Sequence, residues 1–419
     1  IRFPSHPKAI EAKAAMQMVK YILLFSTKYR NTESLFNIPD CTEEERVTLN
    51  KFLIDLATSA YQQDQNLMML VIFKIIESYL KHGFTDASGW GFSGFSVVML
   101  SVIKMQKRGF YLWEITERMH RRTHSPIIKW RLGYTVRTFY YPWSRPIKEI
   151  FPETVDMIQA CVSNGDQIFT GYSIAMYQRQ RWFASVKLQN LLDPKENFKE
   201  LLREARGGED FFIGGYQMIR ALAGATGTPA WDDEQFSGTE TYLRLVDEGN
   251  KTKLAFFTIA QITMLYYFGH FREAIDLSKV VKDDYLENVI GDLYEFDYAF
   301  YTAMSIAANY ELFEQTERPT YLKIFKKHLK DMRYWTKGFP ANFESHLSLV
   351  EAEFSAMTGD VETAVKGYEQ TMELASKGGY TNVEAIANER AAKYSFDHGF
   401  NKQARNFLID AYESYRHWG

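Results

Sequence analysis

The strongest constraint on this chain is a helix-turn-helix written twice near its end. Residues 349–375 read LVEAEFSAMTGDVETAVKGYEQTMELA and residues 389–415 read ERAAKYSFDHGFNKQARNFLIDAYESY. Set 40 positions apart, Ala352 matches Ala392, Phe354 matches Tyr394, Gly359 matches Gly399 and Ala364 matches Ala404. The alanines predict two antiparallel helices in close approach, and each glycine supplies the left-handed residue that ends the first helix. Hairpins of this kind, as in tetratricopeptide-like repeats, stack because none can bury its apolar face alone. Chains so built bind and transmit more often than they catalyse.

The rest of the chain extends the pattern unevenly. Glycines with a packing residue five positions on recur at Gly109, Gly165, Gly269, Gly359 and Gly399, the match being good only in the last three. Two of the intervals are about double a repeat length, which predicts further degenerate hairpins near Gly215 and Asn309. Residues 50–80 carry apolar side chains at helical spacing over two helices, and Thr42 with Glu45 reads as a capping box at a helix start. No alternating strand pattern of useful length occurs. The expected fold is all-α, an irregular tetratricopeptide-like solenoid of helical hairpins. The break at 223–238, AGATGTPAWDDEQFSG, suggests degenerate repeats over 1–225 and tetratricopeptide-like repeats over 239–419, with one continuous solenoid as the alternative. Residues 145–152, RPIKEIFP, form a second, shorter break.

A length of 419 residues exceeds one ordinary core and suits an array that grows by addition. With 49 basic against 52 acidic side chains the balance argues against a nucleic-acid-coating protein. Cys41 and Cys161 are too few and too far apart for a disulfide framework, so a reducing cytoplasm is expected. Residues 1–7 hold two prolines and an arginine where a secretory leader would be apolar, and the non-Met start leads to the expectation of a piece of a longer chain. The uncharged run at 88–103 is shorter than the roughly 20 residues that a membrane span needs, and its small residues suit a tightly packed buried helix.

No pattern assigns catalysis to the chain. The Gly-rich string 221–229, ALAGATGTP, has no lysine and is read as a turn rather than a phosphate loop. His120 and His124, with Glu117 a turn earlier, have zinc-like spacing, but no third ligand is near and Arg121 and Arg122 would repel a cation. The histidines at 82, 270, 328, 346 and 398 are placed near turns or on polar faces. Asp232 and Asp233 lie in a loop without the apolar surroundings that would raise a pKa. Tyr294, Tyr298 and Tyr301 share one helical face and read as core. Residues 119–148 form a sharper feature, with no carboxylate, seven Lys or Arg and six large aromatics from Trp130 to Trp143. Such a stretch serves packing and internal pairing, an acidic partner or, less well, nucleic acid. Its candidate interaction surface is Arg121, Arg122, Lys129, Trp130, Arg131 and Arg137.

Toward the end, an ordered series comprises Trp335, then Pro340-x-Asn342-Phe343, then Ala352-Glu353, Gly359, Ala387-Asn388-Glu389, and last Ala411-Tyr412, Tyr415 and Trp418-Gly419. It resembles the helical middle region of very large bacterial and fungal signalling proteins. Those join a serine/threonine-kinase-like domain, a P-loop ATPase, tetratricopeptide-like helices, a GAF domain and a histidine kinase. Upstream, Ile38-Pro39, Ala60-Tyr61, residues 80–83 with Ser88, and residues 164–166 look similar, while the resemblance is weakest between Lys187 and Asp247. It implies that these residues form turns and packing contacts, that the chain has no catalytic residue, cofactor or metal of its own, and that ATP and magnesium belong to flanking domains. The partners implied are a protein or peptide and the flanking domains of the same chain, with no nucleic acid and no membrane span. The competing expectation is a freestanding peptide- or protein-binding adaptor with no kinase attached.

Overall fold

The computed structural model describes residues 3–30, 33–202, 208–226 and 231–419. Every long element is a helix, and no strand occurs among the described residues. The chain divides into two compact units, one of residues 1–140 with 159–166 and 248–252, the other of 141–158, 167–247 and 253–419. The break at 223–238 falls inside the second unit; residues 227–230 of it, including the end of the Gly-rich string, lie outside the described residues. Arg220 and Gln217 hold Asp233, and Asp232 accepts the Gly238 amide, which closes the described part of that loop.

The first unit contains α1 (Pro7–Ser26), α2 (Glu44–Gln63), α3 (Gln65–His82), α4 (Ser88–Val97), α5 (Gln106–Arg122) and α6 (Pro126–Phe139). The uncharged run at 88–103 is buried over Ser88–Ser96 and again at Val98–Leu100, as its small residues suggest, while its end emerges with Val102 exposed; α4 continues into a π-helical turn, Val98–Val102. A Cβ placed on Gly94 would lie 2.4 Å from the tip of Ile72, and one on Gly89 2.4 Å from the tip of Leu132, so a side chain at either place would push its neighbour aside. Two of its serines are satisfied within the helix, Ser93 on the Trp90 carbonyl and Ser96 on that of Phe92, while Ser88 accepts the Thr85 amide before it. The helix start near Thr42 is present, but Glu43 occupies the cap position without a side-chain cap bond, so the capping box does not form. Glu43 is drawn instead to His82, 3.0 Å away.

The second unit begins with two 3-10 turns, Tyr141–Trp143 and Ile147–Ile150, and goes on through α7 (Phe151–Ser163, of which residues 159–163 belong to the first unit), α8 (Gln167–Phe183), α9 (Glu209–Leu222), nearly all of α10 (Gly238–Glu248) and α11 (Lys251–Tyr267), α12 (Phe271–Val280) and α13 (Leu293–Ala308). It ends with α14 (Arg318–Thr336), α15 (Pro340–Thr358), α16 (Val361–Gly378), α17 (Thr381–Asp397) and α18 (Asn401–Trp418). Of the five recurrent glycines, Gly165, Gly269, Gly359 and Gly399 carry positive φ of 69°, 78°, 82° and 80° and end their helices. The fifth, Gly109, does not, and neither does Gly215, near which a further hairpin is expected. Gly109 lies inside α5 where a Cβ would strike Leu100 at 2.2 Å, and Gly215 inside α9 against Gln178. Both are close-approach glycines, not turns. Asn309 does close α13 ahead of α14, as a hairpin there requires.

The last two hairpins follow the sequence register. Ala352, Ala364, Ala392 and Ala404 are all buried, and a Cβ on Gly367 would meet that of Ala352 at 2.9 Å. Asp360 caps α16 through the Thr363 amide. The fold is thus helical and repeat-like, with these last two hairpins built on small residues at their crossings. Tyr294, Tyr298 and Tyr301 are core residues of α13, as their shared face predicts.

Two histidines depart from expectation. His328 and His346 are buried rather than near turns or on polar faces. His346 stacks on Phe183 at 5.1 Å between centroids and meets the edges of Phe300 and Tyr380. Burial pushes its pKa down to about 3 and that of His328 to about 4, while burial pushes the carboxyl of Asp292, the α13 cap, up to about 6. Between pH 6.5 and 4 the unfolded chain therefore takes up two imidazole protons that the folded unit refuses, whereas Asp292 holds a proton in the folded state that the unfolded chain releases above its ordinary range. The histidines outnumber the aspartate, so stability falls as pH falls, by roughly 3 kcal/mol over that window. Melting the protein at pH 7 and 4.5 checks this; His346→Phe should flatten the dependence.

Candidate functional site

The basic and aromatic stretch divides between the two units, and most of its charge is engaged within the chain. In the first unit Arg131 bridges Asp166 and Asp55, each at 2.7 Å. Arg122 stacks on Phe84 at 4.2 Å, pairs with Asp40 and donates to the Ile38 carbonyl. Arg137 is 8% exposed and donates to the Gly133 carbonyl, while Lys129 and Trp130 are half-buried. Arg121 is exposed. His120 donates to the Lys129 carbonyl at 3.0 Å, and burial, helped by the charge of Arg137, lowers its pKa to about 4. The six named residues therefore do not share one open face.

The series from Trp335 to Gly419 lies in the second unit, where it does two different things. Its first part is an internal clasp. Pro340 opens α15, and Asn342 on the first turn donates to the carbonyls of Pro142 and Arg145 at 2.7 and 2.9 Å while accepting the Ile147 amide at 3.1 Å. One amide side chain thereby satisfies three backbone groups of a segment without α-helical bonds of its own. Trp143 of that segment lies flat on Phe343, with centroids 4.6 Å apart, and Trp335 closes the cluster at 6.0 Å. Lys148 completes the clasp by donating to the carbonyls of Gly378 and Gly379, at the negative end of α16. Gly359 ends α15, and Asn388 bonds back to the Glu384 carbonyl. Glu353 of α15 is fully buried and takes Arg390 of α17 in a two-pronged pair, at 2.6 and 2.9 Å.

Its last part lines a groove. Glu389, Tyr412, Tyr415, Trp418 and Gly419 border an open space of about 750 Å³, together with Leu188, Tyr267 and the exposed Leu408 and Ile409 of α18. Trp418 is anchored by Trp182 and Tyr267, with centroids 5.3 and 5.5 Å away, which ties this wall into the core. Tyr412 is 63% and Leu408 60% exposed. Glu389 is the single charged side chain of the lining and accepts the Tyr415 hydroxyl at 2.6 Å. Large exposed apolar side chains gathered beside a charge mark a binding surface more often than a solvated face. Reading the sequence alone gives Glu389, Tyr412 and Trp418 as packing residues; only Trp418 is buried here.

No family model matches the chain, and no curated protein matches it. Among solved structures, a circular tandem repeat protein with novel repeat topology and enhanced subunit contact surfaces is similar at 11% identity, over 90% of this chain and 97% of that one, with a TM-score of 0.18. A score that low supports no inference from its fold. What the helices themselves define is a protein of helical, repeat-like fold, and no described helix is long and apolar enough to cross a membrane.

Proposed function

We propose that this chain is a non-catalytic helical-repeat scaffold that holds a protein or peptide partner in the groove of its second unit. The observation that carries the reading is the open apolar surface of α18 around Glu389, set on an aromatic wall tied into the core. The resemblance of the series from Trp335 to Gly419 supports a finer reading, in which the scaffold is the regulatory region of a multidomain sensor kinase. ATP and magnesium would then be bound by flanking domains. An occupant that prefers one arrangement of the hairpins would shift their population and so reorient those domains.

Two measurements test this. An antibody against the chain should detect in source cells a protein several times heavier than 48.8 kDa; a band near that mass would instead favour the freestanding adaptor. The purified chain with ATP and magnesium should show neither hydrolysis nor autophosphorylation, and clear phosphotransfer would overturn the scaffold reading.

A further inference from the structure

The groove belongs to the last hairpin, and the hairpin before it shows what such a face receives. Moving 40 positions back, Leu408 becomes Tyr368, Tyr412 becomes Met372 and Tyr415 becomes Ala375. Tyr368 and Ala375 are buried and Met372 is half-buried, and what packs on that side of the preceding hairpin is a helix, α17, with Tyr394 at 6.0 Å from Tyr368. The same interface carries a charge pair in which a carboxylate of the hairpin, Glu353, takes a cation of the covering helix, Arg390. On the last hairpin the apolar positions continue but are uncovered; in this register Glu353 becomes Lys393, and the carboxylate among the uncovered positions is Glu389, which stands where the preceding hairpin has the buried Leu349.

We infer that the groove receives an amphipathic helix whose apolar face covers Leu408 and Tyr412 and which sets a lysine or arginine against Glu389. This rests on the reading of the groove as a docking surface and adds the chemistry of the occupant. The lining holds no cation to neutralise Glu389, and Tyr415 supplies a neutral hydroxyl donor. A covering apolar helix would exclude water from the carboxylate, which strengthens attraction to a cation and makes an anion or an unpaired acid costly. The occupant is therefore chosen by charge as well as by apolar area, through Glu389 itself.

The test uses the whole chain and two labelled synthetic helical peptides, one of Leu, Ala and Lys and one with Glu in place of each Lys, read by fluorescence anisotropy. The basic peptide should bind at least about tenfold more tightly than the acidic one. Glu389→Gln should remove most of that preference and Glu389→Lys should reverse it. Tyr412→Glu should abolish binding, although its added negative charge would draw a basic peptide held by general attraction more strongly. Both side chains are exposed, so these exchanges leave the core packing alone. Equal affinity for the two peptides, lost in Tyr412→Glu, would overturn the inference about charge and leave the docking groove standing. Absence of binding by either peptide, or binding indifferent to Tyr412→Glu, would overturn both.

Discussion

Glu353→Ala is expected to lower the stability of the second unit by about 3–5 kcal/mol, the cost of leaving one half of a buried ion pair without its partner. Glu353 is 0% exposed, and its two oxygens receive the Nε and Nη2 of Arg390. Burial works against the charge of Arg390, but Glu353 outweighs it and holds the guanidinium firmly protonated. Without the carboxylate that cation has no route to neutrality, so the interface of α15 and α16 with α17 must open or admit water. The transition midpoint should fall by roughly 10 °C. Replacing both partners with apolar residues of similar size should recover much of the loss, because desolvation of the pair opposes its attraction in the wild type. A double variant no more stable than Glu353→Ala would show that the pair contributes through something other than charge burial.

Phe343→Ala should cost a similar amount, about 3–5 kcal/mol, through the cavity left by a large buried ring. Phe343 is fully buried and lies 4.6 Å from Trp143, 4.9 Å from Phe296 and 5.4 Å from Phe183 between centroids. Three separate parts of the unit meet on it: the opening 3-10 segment, α8 and α13. Asn342 holds the first of these only while Phe343 fixes the ring beneath it. The variant should therefore release residues 141–150 to protease before the rest of the unit unfolds, which limited proteolysis with mass analysis would read. Phe343→Leu fills most of the space and should cost clearly less. Cleavage confined to other loops would contradict the role given to this clasp.

The hairpins were legible because their signals are local. Ala352, Ala364, Ala392 and Ala404 lie at helical crossings, and Gly359 and Gly399 sit where a left-handed residue is needed. The same letters misled at Gly109 and Gly215, since a glycine that admits a neighbouring side chain looks, in sequence, like one that turns the chain. Partnerships over long separations were illegible. Arg131 reads as a free cation until the fold brings Asp166 and Asp55 to it, and Arg179 of α8 pairs in the core with Asp297 of α13. His346 gives no sign in sequence that Phe183, Phe300 and Tyr380 surround it. The groove was half visible. The ordered series names Glu389, Tyr412 and Trp418, but that Leu188 and Tyr267 reach the same space follows only from the way the second unit folds.

Amide hydrogen exchange of the whole chain, with and without the basic helical peptide, reads the occupancy of the groove. In the unliganded chain α18 should exchange faster than its counterpart α16. Peptide should slow α18 and the Glu389 turn of α17 and leave the first unit unchanged. Protection that leaves α18 untouched and appears instead around Arg121–Arg137 would contradict docking in the groove, and would move the binding surface to the basic stretch of the first unit.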